Sequence, residues 1–215
     1  PYQGSFEMAR EDETGRDAGA PAGFRKNRME ALTDGIFAFA MTLLVISLDV
    51  PEGAHDLSDA ALMAMLAGYL PDLYHSFLAF FILAAFWIAH HAQVDHLKVI
   101  DRRFLWINIT ALMFVALVPF SVSLIGDYPD EIFAAVIFEA NLLAIGLLFA
   151  AQWFYATHSG RLVHPGTDLW RGSRRGMVVP IVSAIAILLA LAGWTWSTVI
   201  YALIPLVMRF LPPSR

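Results

Sequence analysis

The residues best suited to chemistry in this chain are a few polar side chains set into long apolar runs. Arg28, Glu30 and Asp34 crowd the front of RMEALTDGIFAFAMTLLVISLDVP, residues 28–51, which is otherwise apolar enough to cross a membrane. An Asp at the centre of a membrane helix costs about 2.5–3.5 kcal/mol on insertion scales, less near the interface, and such groups face partners inside a bundle. Arg28, His90, His91 and Asn108 are the candidates at similar depth. His90, His91, Asp95 and His96 form a second cluster, in which His91 and Asp95 stand i, i+4 on one helical face and could offer metal ligands. The bland reading of that cluster is a solvated helix end, because no second histidine-rich motif accompanies it; His158 and His164 are loose loop residues and His55 and His75 have no evident partner. Glu139, with Asn141, lies within a later apolar run and is either a buried tie between helices or the proton site of a carrier.

These groups must be positioned by membrane helices. The 215 residues are 58% hydrophobic and 15% charged, with a mean hydropathy of +0.61. A soluble domain would need more polar surface to cover itself. The 14 basic residues are thinly scattered, so there is no nucleic-acid footprint. Absence of cysteine excludes disulfides and thiolate metal sites. A spanning helix needs roughly 20 apolar residues. Six runs fit: 30–50, 70–92, 104–125, 131–156, 176–192 and 195–211, the last two forming a tight antiparallel hairpin around AGWTWS. Residues 57–70 read as an interfacial helix, or an extension of the second span outside the lipid, capped by Ser58 and broken near Pro71. Residues 1–27 read as a disordered cytoplasmic tail without a signal sequence, with Met8 a candidate natural start after a cloning scar. Residues 28–211 form one transmembrane domain, and 212–215 a cytoplasmic C-terminus.

Every Lys and Arg falls in the N-terminal tail to Arg28, in the loop of Lys98, Arg102 and Arg103, in the loop of Arg161, Arg171, Arg174 and Arg175, or at Arg209 and Arg215. With six spans these places share one side. The opposite loops carry only acid: Glu52, Asp56, Asp59, Asp72, Asp127, Asp130 and Glu131. The positive-inside rule then puts both termini in the cytoplasm, as an even span count also requires. On a helical wheel of the first span, at about 100° per residue, Phe39, Leu43, Ile46 and Val50 make one apolar stripe with Leu32 and Gly35 on the same side and Thr42 at its edge. Asp34 falls opposite, with Phe37, Met41, Leu44 and Leu48, so carboxylate and stripe face different partners.

The stretch Arg28 to Leu44 resembles the Arg-x-x-x-Phe-Ser-Asp signature of the transmembrane protein 175 family of lysosomal and prokaryotic potassium channels, with Arg28, Leu32, Thr33 and Asp34 at the matching spacing. FWIAHH, Phe86 to His91, is similar to that family's Trp-x-x-His-His end of the second helix, and Asn108 followed by ALVPF, Ala116 to Phe120, to its third. From residue 126 onward only the layout supports the resemblance. The resemblance implies an all-α, six-span chain in a homotetramer, embedded in the lipid of the cell membrane, with the first helix lining a central pore. It implies a hydrophobic constriction five, nine and twelve residues after the signature Asp, here Phe39, Leu43 and Ile46, with Thr42 at the pore edge. It implies that Arg28, Thr33, Asp34, Trp87, His90, His91 and Asn108 anchor that helix to its neighbours. The permeant ion is implied to be K+ among monovalent cations, with no enzymatic activity, cofactor or metal, and no Thr-Val-Gly-Tyr-Gly filter occurs. Leu32 and Thr33 replace the family's Phe and Ser, and Phe39 replaces an Ile or Leu, so four phenyl rings would fill a different cross-section. The alternative is a proton-coupled carrier using Glu139, although no inverted repeats or paired broken helices are apparent.

Overall fold

Uninterrupted apolar runs with their backbone polar groups closed internally are stable in lipid as helices. The computed structural model is accordingly helical, with one isolated bridge, Leu97 to Val163, among the described residues. It describes residues 26–48, 57–166 and 176–210. The expected N-terminal tail up to Arg25, the loop with Glu52 and Asp56, Arg171, Arg174 and Arg175, and the last five residues lie outside these.

Four helices are long and apolar enough to cross a membrane: α1 (Lys26–Ile46), α3 (Leu70–Asp95), α4 (Arg102–Asp127) and α5 (Ile132–Ser159). At 1.5 Å per residue the shortest is about 31 Å long, close to the roughly 30 Å hydrocarbon thickness. Between α1 and α3 lies the ten-residue α2 (Asp59–Gly68). The Ser58 hydroxyl caps it, accepting from the Ala61 N–H at 3.3 Å, and none of its residues is buried. Tyr69 separates it from α3, whose first turn carries Pro71, where a missing N–H costs nothing.

The end of the chain differs from the expected pair of full spans. Val178–Leu191 forms α6, 14 residues and about 21 Å. After a turn at Gly193 (φ 92°), Ser197–Leu203 is a 3₁₀ helix that leads into the short α7, Ile204–Phe210. Neither arm alone matches the hydrocarbon thickness. The 3₁₀ segment is where Ser197 and Thr198 turn their hydroxyls toward Glu139 and His75, and tightening the helix there follows from holding those contacts.

Helix α4 packs along α5, α1 lies against α4 and α3, and α6 packs on α5. The shared core includes Phe37, Leu44, Leu83, Val115, Phe138 and Ile145, all sealed from solvent. A smaller cluster of Met29, Val94, Leu97, Ile100, Phe104, Ala156 and Leu162 closes the end that carries the basic loops. There the Lys98 N–H donates to the Leu162 carbonyl at 2.8 Å and the His164 N–H to His96 at 3.0 Å.

Asp101 fixes the start of α4: its carboxylate accepts from the Phe104 N–H at 2.8 Å and from the Tyr155 hydroxyl at 2.5 Å. Burial raises the Asp101 carboxyl, but those two donors and Arg103 outweigh it and hold the group below its ordinary 3.8. A carboxyl depressed in the folded state stabilises above its unfolded value, and that contribution is lost as pH falls through the folded value. Melting curves between neutrality and pH 3 should therefore show an acid-side loss that is absent from Asp101→Asn, a substitution that retains a capping side chain.

Helices α5 and α6 approach closely at Gly146, where a Cβ would stand 2.7 Å from Cγ and 2.8 Å from Cδ of Pro180. A proline ring cannot swing away. Gly146→Ala should cost about 1–3 kcal/mol by overpacking, read in the equilibrium unfolding of purified protein in mixed micelles.

Candidate ion-pathway helix and its anchoring network

One side of α1 is packed: Met29, Thr33, Phe37, Ala40 and Leu44 are buried. The other side is apolar and uncovered within the chain. Phe39 is 63% exposed and Ile46 65%, with Leu32, Gly35, Thr42 and Val45 on the same side. Leu43 is half-buried at the margin of this face rather than on its crest, so the middle of the face runs through Gly35 and Thr42. The Thr42 hydroxyl donates to the Ala38 carbonyl at 2.7 Å, within its own helix. A 63% exposed phenyl ring on a helix of this hydropathy has to be covered by lipid, by another chain or by its own copies about an axis.

The polar groups behind that helix fall into two sets. The first is wholly buried. The Asn108 amide is its hub: Nδ2 donates to Thr33 Oγ1 at 3.1 Å, while Oδ1 accepts from Gln152 Nε2 at 3.1 Å and lies 2.8 Å from His90 Nε2. Since that oxygen can only accept, the arrangement assigns the proton to His90 Nε2. Four helices, α1, α3, α4 and α5, are thereby tied at one level. The His90 ring also lies 4.9 Å from that of Phe149, centroid to centroid.

The second set is at the surface. Trp87 Nε1 donates to Asp34 Oδ1 at 2.8 Å, and the His91 ring sits 5.8 Å from the indole. His91 Nε2 is 4.0 Å from Asp95 across an exposed i, i+4 step. Arg28 joins neither set: it is exposed, and among the described residues it has no ion pair. Eleven residues before Phe39, it lies on the same face of α1 and points away from α3 and α4. Lys26 instead reaches the Leu97 carbonyl at 3.4 Å and Glu30 at 3.9 Å.

Gln152 was not among the candidates from sequence. Its signal was there: it is the one amide in LLFAAQWFYA, at a depth in α5 that matches Asn108 in α4. At the other end of the bundle Glu139 is fully buried and accepts from Ser197 at 2.5 Å through Oε1, whereas Oε2 has no partner among the described residues. Nearby Thr198 lies 3.4 Å from His75 Nε2, and Tyr201 donates to Ser183 at 2.9 Å. Among the described residues no three His, Cys, Asp or Glu side chains converge as metal ligands, and His90, whose Nε2 is engaged by Asn108, is separate from the exposed His91 and Asp95.

A potassium channel of Streptomyces collinus is 30% identical to this chain over 145 residues, covering 66% of this chain and 69% of that protein, and the model of the endosomal/lysosomal potassium channel TMEM175 family matches residues 28–119. The chain belongs to the TMEM175 family. A second relative, a potassium channel of Chamaesiphon minutus, is 32% identical over 156 residues, 69% of this chain and 74% of its own length. The crystal structure of a lysosomal potassium-selective channel TMEM175 homolog from Chamaesiphon minutus superposes with a TM-score of 0.74 at 25% identity, covering 86% of this chain and 97% of that one. TMEM175 proteins are membrane-spanning ion channels and not enzymes. The TMEM175 match takes in Thr33, Asp34, Trp87, His90 and Asn108 and ends at Pro119, before Gln152 and Glu139.

Proposed function

We propose that this chain is one subunit of a homotetrameric, potassium-permeable cation channel whose pore is lined by α1. The observation that carries this is the division of α1 into a packed face and an uncovered apolar face with Phe39 and Ile46 on it. One helix cannot enclose a pore, so the reading requires copies about an axis. Phe39, Leu43 and Ile46 form the constriction, which gates by excluding water; Thr42 supplies a hydroxyl at its edge, and no carbonyl filter takes part. The network of Thr33, His90 and Asn108, extended by Gln152, and the clasp of Asp34, Trp87 and His91 hold α1 at the angle that presents those rings, and Arg28 lies at the basic mouth.

In the bilayer the four long helices, together with the two shorter arms of the terminal hairpin around which the bilayer thins locally, make six crossings of the cell membrane. Both termini are cytoplasmic, and the acidic loops face outward, where they concentrate cations. The similarity to channels named for potassium supports K+ as the permeant ion, with no resident cofactor. Glu139 is read as the clasp of the terminal hairpin, since its bonded partner is Ser197, rather than as the proton site of a carrier. The deciding experiment is the reversal potential of purified protein in planar bilayers under a potassium–sodium gradient. A value displaced toward the potassium equilibrium potential, with current that does not saturate as in a carrier, is expected. A saturating flux with stoichiometric proton movement would refute the channel.

A further inference from the structure

Arg102, Trp106, Met113, Leu117 and Phe120 form one exposed stripe along α4, because their spacing returns each to the same side of the helix. The Asn108–Gln152 and Ser121–Asn141 bonds hold α4 and α5 antiparallel in a constant register, which sets Trp106 level with Phe154 and Arg102 level with His158. Farther along the stripe, Leu117 and Phe120 of α4 and Ile137 and Ala140 of α5 wall an open groove of about 310 Å³. We propose that this face binds one anionic phospholipid, its phosphate held by Arg102 and Arg161 and an acyl chain laid along α4 into the groove.

Charge, depth and length select that occupant. Lys98, Arg102, Arg103 and Arg161 are all exposed at one end of the face, and the Lys98 N–H, bonded to the Leu162 carbonyl at 2.8 Å, brings their two loops together. Asp101 is the only acid from His96 to Gly126, and there is none from Ala140 to Thr167. Its carboxylate is already taken by the Phe104 N–H and the Tyr155 hydroxyl. Among the described residues none of the four cations is in an ion pair. A basic cluster at the end of spanning helices attracts anionic headgroups, and the planar fork of a guanidinium matches the non-bridging oxygens of a phosphodiester. The Trp106 indole, 58% exposed, stands one turn inside Arg102, and such a ring marks the boundary between hydrocarbon and headgroups. Arg102 therefore lies at the level of the phosphates. Leu117 is about 22 Å along α4 from Arg102 at 1.5 Å per residue, and half a bilayer with its headgroups is about 20–22 Å thick. A chain descending from a headgroup at Arg102 thus ends at the groove. There the Asn141 amide and the Ser121 hydroxyl are bonded to each other at 3.3 Å, which leaves apolar walls for the tail. The site rests on α4 and α5 spanning a membrane and on no claim about what α1 conducts.

The test is thermal melting of the full chain in detergent as dioleoyl phosphatidylglycerol is titrated in, beside dioleoyl phosphatidylcholine and inorganic phosphate at equal ionic strength. Phosphatidylglycerol should raise the melting temperature to a plateau, phosphatidylcholine should raise it less, and phosphate alone should leave it unmoved. Arg102→Gln combined with Arg161→Gln should weaken the apparent affinity for phosphatidylglycerol several-fold, while Arg28→Gln, on the uncovered face of α1, should leave that affinity intact. Ala140→Phe, which fills the groove, should remove the advantage of dioleoyl over dihexanoyl chains and keep the dependence on headgroup charge. If the double arginine variant does not fold, the two single variants decide, with retained lipid counted by native mass spectrometry. Equal rises with both lipids, an equal rise with phosphate, or an unchanged affinity in the arginine variants that fold overturns the proposal. So does a smaller oligomer in Ala140→Phe, which would assign the face to a second copy of the chain. Reversal potentials on the same preparation test the channel separately.

Discussion

Asn108→Ala is expected to destabilise the chain by about 2–4 kcal/mol, the largest loss for any single polar side chain here. The substitution strands the Nε2 donors of His90 and Gln152, both buried, and takes away the donor to Thr33. In soluble proteins an orphaned buried group costs about 1–3 kcal/mol, while interhelical bonds in membranes average about 0.6 kcal/mol, so the two donors and the lost packing together give the stated range. The Gln152 Oε1 already lacks a partner among the described residues, which leaves that amide no second anchor in the network. Thr33→Val, which removes one acceptor and keeps the shape, should cost about 1 kcal/mol. Equilibrium unfolding in mixed micelles reads both. Equal and small losses would show that Asn108 is not the hub.

Phe39→Ala is expected to raise ionic leak several-fold and weaken discrimination between potassium and sodium. Phe39 is the bulkiest side chain on the uncovered face of α1, and at 63% exposed it is no part of the chain's core. Truncation should therefore leave the fold of the single chain unchanged while widening and wetting the constriction. Leu43→Ala makes a useful contrast. Leu43 is half-buried, so its truncation should also lower stability, whereas Phe39→Ala should affect conduction alone. Unchanged conductance and selectivity in Phe39→Ala would remove this residue from the gate.

The sequence makes the helices legible because hydropathy acts over about 20 residues at once, and single substitutions do not disturb it. Ser58, Asp101 and Gly160 mark helix ends by local chemistry, and local chemistry is what one strand of letters contains. The wheel separated Asp34 from Phe39 correctly in angle, yet it placed Asp34 with Phe37 and Leu44, which are core, while the Asp34 carboxylate is at the surface on Trp87. A wheel gives direction from an axis, not the distance to the neighbouring helix. Gln152 escaped because its role depends on the depth at which α5 meets α4, a property of two helices together. The terminal hairpin was legible in its turn around AGWTWS, but not in the 3₁₀ form of its second arm. Its length in residues suffices for two spans, but the 3₁₀ stretch answers to hydroxyl contacts with α5 and α3 that no local pattern announces.

The pairing of Glu139 with Ser197 has a consequence for how the chain is made. The two residues are 58 positions apart, and the carboxyl emerges long before the hydroxyl that caps it. Thr33, Asn108 and Gln152 all precede the hairpin in the chain, so the network near the basic loops needs no residue from it. Until the hairpin arrives, α5 sits among its neighbours with a carboxyl facing nothing. The final segment is thus the piece that completes the bundle, and a nascent chain halted before Ser197 would expose an acidic mark inside the membrane by which quality control could tell it from the finished protein.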